Sequence, residues 1–186
     1  MLLRAIPHLI TSFRLLCCPV LVWLLLQSRF RPALALVFLA GISDWFDGFA
    51  ARRLKSSGRI GVILDPLADK VLLVTLFVVL ALLGLIPKWM FWLALGRDLV
   101  IVFGALLVRI LRGARRFLPT TLGKVSTFFQ IVLILLTLAL AAYPYQLLLW
   151  LKYAALALSA LFTFLSGLEY IRVGIEFARR PRIAAA

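Results

Sequence analysis

The chain is poor in acid. Seven of its 186 residues are Asp or Glu, against 21 Lys or Arg, and it has one histidine and two cysteines. The lone His8 builds no zinc constellation. The adjacent pair Cys17-Cys18 sits in an apolar run and offers neither metal-ligand spacing nor a disulfide framework, so both read as small apolar side chains that fill space. Charge of any sign is scarce: 15% of residues are charged, 65% are hydrophobic, and mean hydropathy is +1.10. A water-soluble domain of this length cannot hide that much apolar surface, whereas an integral membrane protein can. Internal repeats, a soluble domain and long linkers are also missing. The expectation is one membrane domain over residues 1–186, with a basic tail from about residue 172.

The balance of charge is +14. Nucleic acid is excluded as a partner, because no nucleic-acid-binding motif is present and the basic residues cluster at the ends of apolar runs. That placement fits anionic lipid headgroups and control of topology.

The scarce acids are concentrated. Four of the seven, Asp44, Asp47, Asp65 and Asp69, lie within 26 residues of otherwise apolar sequence. On a helix, Asp44 and Asp47 share one face, and so do Asp65 and Asp69. A carboxylate at mid-membrane depth costs about 2.5–3.5 kcal/mol, so four unpaired ones would cost roughly 10 kcal/mol if the terms added. Arg52 and Lys70 are too few to neutralise four charges. A divalent cation is the natural counter-ion, and oxygen-only ligands point to Mg²⁺, Mn²⁺ or Ca²⁺.

Hydrophobic runs predict six membrane helices, each long enough to cross a core of about 30 Å. They cover roughly residues 9–26, 32–51, 60–85, 89–110, 122–142 and 147–170, after a short interfacial segment over residues 1–7. The first run resembles a signal peptide, but Arg14 interrupts it and further spans follow at once. Pro66, between two aspartates, is expected to kink its helix and free a carbonyl, tolerable beside a polar cavity. Tyr143-Pro144-Tyr145 reads as a tight turn with interfacial aromatics. Arg52, Arg53, Lys55 and Arg59, then Arg112, Arg115 and Arg116, then the basic tail, fall on one side; Arg29, Arg31, Lys88 and Lys152 fall on the other. The positive-inside rule places both termini and the aspartates on the cytoplasmic side.

Two carboxylate pairs on helices joined by a short connector suit two metal ions, and such a pair can clamp the attacking and leaving oxygens of a phosphoryl displacement. Gly48 and Ala51 would let a base or ribose approach the helix backbone. Arg52, at the rim, is placed to hold a phosphate.

The full spacing, D-x2-D-G-x2-A-R-x8-G-x3-D-x3-D, is unbroken from Asp44 to Asp69. It resembles the signature of the CDP-alcohol phosphatidyltransferase family. The resemblance implies an all-α integral membrane enzyme with two divalent ions, Mg²⁺ or Mn²⁺, held by Asp44, Asp47, Asp65 and Asp69. It implies that Asp69 is also the general base on the acceptor hydroxyl. Gly48, Ala51, Arg52 and Gly61 would hold the CDP group, together with Thr11 of the lead-in Pro7-His8-Leu9-Ile10-Thr11-Ser12-Phe13-Arg14. His8 stands where the family usually has asparagine. The implied reaction is attack of an alcohol on the β-phosphate of CDP-diacylglycerol with release of CMP. A homodimer in a bacterial inner membrane is implied too.

Arg97-Asp98 and the stretch Leu122–Thr127 resemble the branch that makes phosphatidylglycerophosphate and cardiolipin, with Arg97, Arg112 and Lys124 as the acceptor-binding set. Glycerol 3-phosphate users in that branch usually carry Arg-Glu, an arginine eight residues later, and Lys-x-Lys-Thr. Here the corresponding residues are Asp98, Ala105 and Ser126. Two cations suited to a dianionic acceptor are absent, which leans toward the cardiolipin synthase type with phosphatidylglycerol as acceptor. The alternative is a phosphatidylglycerophosphate synthase using glycerol 3-phosphate. A cation transporter, the remote alternative, accounts for intramembrane aspartates but not for the small residues and arginine at their spacing.

Overall fold

A computed structural model of the chain describes residues 17–54, 61–112 and 120–179, with backbone alone over 43–54, 61–69, 105, 107–112 and 177–179. The described residues form six helices: α1 (Cys17–Leu26), α2 (Phe30–Leu54), α3 (Gly61–Leu82), α4 (Lys88–Arg112), α5 (Thr121–Ala142) and α6 (Gln146–Arg179). The all-helical expectation is met. Thr121–Ala142 and Gln146–Glu176 are long and apolar enough to cross a membrane, and Cys17–Leu26, Phe30–Ile42 and Lys70–Leu82 are shorter apolar stretches.

The boundaries have local causes. α1 and α3 end in the same way. Ser28 N–H donates to Leu25 O and Arg29 N–H to Leu24 O, both at 2.9 Å, with Ser28 at φ 55°. Gly84 N–H donates to Ala81 O and Leu85 N–H to Leu80 O, with Gly84 at φ 72°. Each is a Schellman closure, in which a left-handed residue turns the chain back over its last carbonyls. The helix α3 runs unbroken through Pro66. Proline has no N–H for the carbonyl of Val62, so that acceptor is left over inside an apolar segment. The turn at Pro144 is tight as expected: Tyr145 N–H reaches Tyr143 O at 2.8 Å. The carbonyl of Tyr145 then accepts from Leu148 and Leu149, which starts α6. That helix runs to Arg179, past the expected limit near residue 170. The charges that read as a tail, from Arg172 on, are good helix formers and continue it.

The chain divides into two compact units, Met1–Ile86 with Ile134–Leu149, and Pro87–Leu133 with Trp150–Ala186. Among the described residues of the first unit the buried side chains are apolar except for Thr137. Cys17, Leu21, Leu24 and Leu25 line one face of α1, and Leu76, Phe77 and Leu80 are buried on α3. Arg31 closes the end of α5, where its Nε donates to Ala142 O at 3.5 Å and its guanidinium lies 5.1 Å from the Tyr143 ring centre. A cation suits a helix C-terminus, where unpaired carbonyls carry partial negative charge.

The second unit buries polar side chains beside apolar ones such as Met90 and Leu133. Arg97, Ser126, Gln130, Ser159, Thr163 and Ser166 are buried, while Trp92, Phe103, Phe128, Trp150 and Phe164 are more than half exposed. Water would favour the reverse arrangement. A hydrocarbon solvent favours this one, since buried polar side chains then find partners only in neighbouring helices.

Candidate active site

The aspartate motif occupies helical backbone in the first unit. Asp44, Asp47, Gly48, Ala51 and Arg52 lie on α2, and Gly61, Asp65 and Asp69 lie on α3. Steps of three and four residues return to within about 60° and about 40° of the starting direction on a helix. Positions 44, 47, 48 and 51 therefore fall on one face of α2, and 61, 65 and 69 on one face of α3. The first residue of α3 is Gly61 itself. The side chains of all eight positions lie outside the described set, and so do Thr11, the stretch 55–60 and the Arg112 side chain.

The donor set fits a hard divalent ion. It consists of carboxylate oxygens alone, in two pairs, each within one helical turn or so. The other acids of the chain, Asp98, Glu169 and Glu176, are scattered. Among the described residues no three His, Cys, Asp or Glu side chains come together.

Two of the residues expected at the acceptor are described in full. Lys124 is exposed in the first turn of α5, with its backbone N–H on Thr120 O at 3.3 Å. Arg97, on α4, is 7% exposed. Its Nε and Nη2 both donate to Ser166 Oγ, at 3.2 and 3.1 Å, Nη2 also donates to Gly123 O at 3.1 Å, and Nη1 pairs with Asp98 Oδ1 at 3.0 Å. The guanidinium carbon lies 5.8 Å from the Tyr170 ring centre, within cation–π range.

The same node caps α5. Gly123 N–H donates to Thr120 Oγ1 at 3.1 Å, a side-chain cap of the helix start. The Thr120 N–H donates to Tyr170 Oη at 3.1 Å. A Cβ on Gly123 would come within 3.0 Å of both Arg97 Nη2 and Tyr170 Oη, so only glycine fits without displacing them. Below the node a polar seam joins α5 to α6. Thr163 Oγ1 meets Ser126 Oγ at 3.0 Å and accepts from Gln130 Nε2 at 3.1 Å. The rings of Phe129 and Phe162 stack 5.1 Å apart alongside.

Sequence reasoning placed Arg97 near the acceptor but missed Ser166, Tyr170, Thr120 and Gly123 as its partners. A signal existed in the spacing of Ser159, Thr163, Ser166 and Tyr170, which makes a polar stripe along one face of α6.

The family profile described as CDP-alcohol phosphatidyltransferase matches residues 4–165. The chain belongs to the CDP-alcohol phosphatidyltransferase family. It is similar to rat "cardiolipin synthase (CMP-forming)", 33% identical over 156 residues, which covers 75% of this chain but only 52% of that protein. It is also similar to the "CDP-diacylglycerol–glycerol-3-phosphate 3-phosphatidyltransferase" of Escherichia coli K12, 35% identical over 179 residues, covering 89% of this chain and 92% of that protein. The Aquifex aeolicus enzyme with the latter name is 35% identical over 130 residues, covering 67% and 70%.

Proposed function

We propose that the chain moves a phosphatidyl group from CDP-diacylglycerol to a glycerol-type alcohol and releases CMP. The observation that carries this is the unbroken eight-position motif on α2 and α3, in a chain whose family profile runs over residues 4–165. The acceptor hydroxyl oxygen forms a bond to the phosphorus that bears the diacylglycerol. The bond from that phosphorus to the oxygen of CMP breaks, and CMP leaves with the electron pair. Asp69 takes the hydroxyl proton. A carboxylate is a weak base toward an alcohol, so the proton moves late, once the oxygen is already bonding to phosphorus.

Asp44, Asp47, Asp65 and Asp69 would hold two divalent ions. When bound there, Mg²⁺ or Mn²⁺ neutralises charge on the phosphoryl oxygens and on the departing CMP. Gly48, Ala51 and Gly61 leave room for the nucleotide against the helix backbone. Arg52 and Thr11 bind its phosphates and sugar. Arg112 and Lys124 supply positive charge for the acceptor. The site works at the cytoplasmic face of a bacterial inner membrane, in a bilayer-embedded homodimer and one catalytic domain.

The acceptor is phosphatidylglycerol on this reading. Ala105 and Ser126 stand where glycerol 3-phosphate users carry cations, and Ser126 is fully buried against Thr163, out of reach of a substrate. The relatives carry both names, so the glycerol 3-phosphate reaction is the second reading. Purified protein in detergent with Mn²⁺ and CDP-diacylglycerol is offered each acceptor separately. CMP release with phosphatidylglycerol is expected. Release with glycerol 3-phosphate alone reverses the choice of acceptor, and release with neither overturns the activity.

A further inference from the structure

Among the described residues of the second unit, Arg97 is the one buried cation, and its role can be read from its partners. An arginine that binds a substrate anion keeps part of its fork exposed until the substrate arrives. The side chain of Arg97 is 6% exposed, and each of its three nitrogens already donates within the chain. Those partners come from three helices: Asp98 beside it on α4, Gly123 on α5 and Ser166 on α6. Tyr170 completes the ring of contacts, with its face toward the guanidinium and its hydroxyl on the N–H of Thr120. Thr120, in turn, caps Gly123 and receives the backbone N–H of Lys124.

We propose that Arg97 is a positioning residue and not an acceptor ligand: it fixes the first turn of α5 through Gly123, Ser166 and Tyr170, and so aims Lys124 at the acceptor's anionic group. This rests on the phosphatidyltransferase reading and sharpens it. The charge that meets the acceptor is the exposed ammonium of Lys124, while the buried guanidinium holds the frame. An acidic lipid headgroup and a free glycerol phosphate present the same phosphate chemistry to that lysine, and both are tried below.

The test uses the full-length protein in proteoliposomes. Arg97→Lys, Ser166→Ala and Tyr170→Phe are compared with Ser159→Ala, another buried serine of α6 that makes no hydrogen bond. KM for each acceptor and for CDP-diacylglycerol is measured well below the melting temperature of every variant. Amide hydrogen exchange is followed over residues 120–126. In the expected result Ser166→Ala raises the acceptor KM on the order of tenfold, as a small misplacement can. Arg97→Lys does the same, the KM for CDP-diacylglycerol stays within about twofold, and exchange over 120–126 quickens; Ser159→Ala changes none of these. If only Arg97→Lys raises the acceptor KM, the arginine touches substrate and the proposal falls. If the variants melt earlier with both KM values unmoved, the node is merely structural and the proposal also falls. Should the unaltered protein release no CMP with either acceptor, the activity reading has failed, and exchange decides the frame alone. Faster exchange in Ser166→Ala then upholds it, and unchanged exchange overturns it.

Discussion

Two glycines near Arg97 differ in what surrounds them. A methyl on Gly123 meets Arg97 Nη2 and Tyr170 Oη at 3.0 Å and Thr120 Oγ1 at 3.2 Å, three atoms already pinned by hydrogen bonds. A methyl on Gly167 meets only the Arg97 stem, at 3.9 Å or more. Overpacking of this kind costs about 1–3 kcal/mol, against a gain of up to ~1 kcal/mol for replacing glycine by alanine in a helix. Gly123→Ala is therefore expected to lower the melting temperature by several degrees, and Gly167→Ala to hold or raise it slightly. Thermal melts of both in one detergent check the contrast. At the motif, Asp69→Asn is expected to abolish CMP release while CDP-lipid binding is kept. Turnover at the unaltered rate would remove Asp69 as the base. That the four aspartates fall in pairs on helix faces was legible, because helical spacing is written directly into sequence. The Arg97 node was not: its partner Ser166 lies 69 residues away, and only the fold brings them together.

At the level of elements, the paired Schellman closures give an independent prediction. Gly84 and Ser28 occupy the same left-handed position at the ends of α3 and α1. Only glycine does so without a steric penalty, which is about 1–2 kcal/mol for an ordinary side chain. Nothing lies within 4 Å of a Cβ placed on Gly84, so its requirement is purely conformational. Ser28→Gly is expected to stabilise the protein by about 0.5–1 kcal/mol and Gly84→Ala to destabilise it by about 1 kcal/mol, read from denaturation midpoints. Among the described residues, the turns near Arg29, Gly84 and Pro144 and the six helices followed from runs of apolar residues broken by Pro, Gly and Arg. The C-terminal end of α6 did not, because Arg172 and Glu176 look like a solvated tail and yet sit four apart on a continuing helix.

At the scale of the whole molecule, the placement of polar and apolar side chains fits an apolar surrounding. The second unit buries serine, threonine and glutamine and turns tryptophan and phenylalanine outward. Composition alone raised the expectation of a membrane protein, but did not say which polar residues of the second unit would be buried. Because four carboxylates supply the charge and few cations answer it, removal of divalent ions is expected to stop CMP release. Titrating a chelator and then restoring Mg²⁺ or Mn²⁺ to the same sample measures this; release that survives chelation would take metal out of the reaction. Interhelical hydrogen bonds in lipid contribute on average about 0.6 kcal/mol each, so the seam at Thr163 adds little strength. Its value is angular. One hydroxyl answers both Ser126 and Gln130, and turning α6 by a single residue, about 100°, would part all three from these partners. The last two helices thereby carry a keyed joint, which one rotation of α6 about its own axis satisfies.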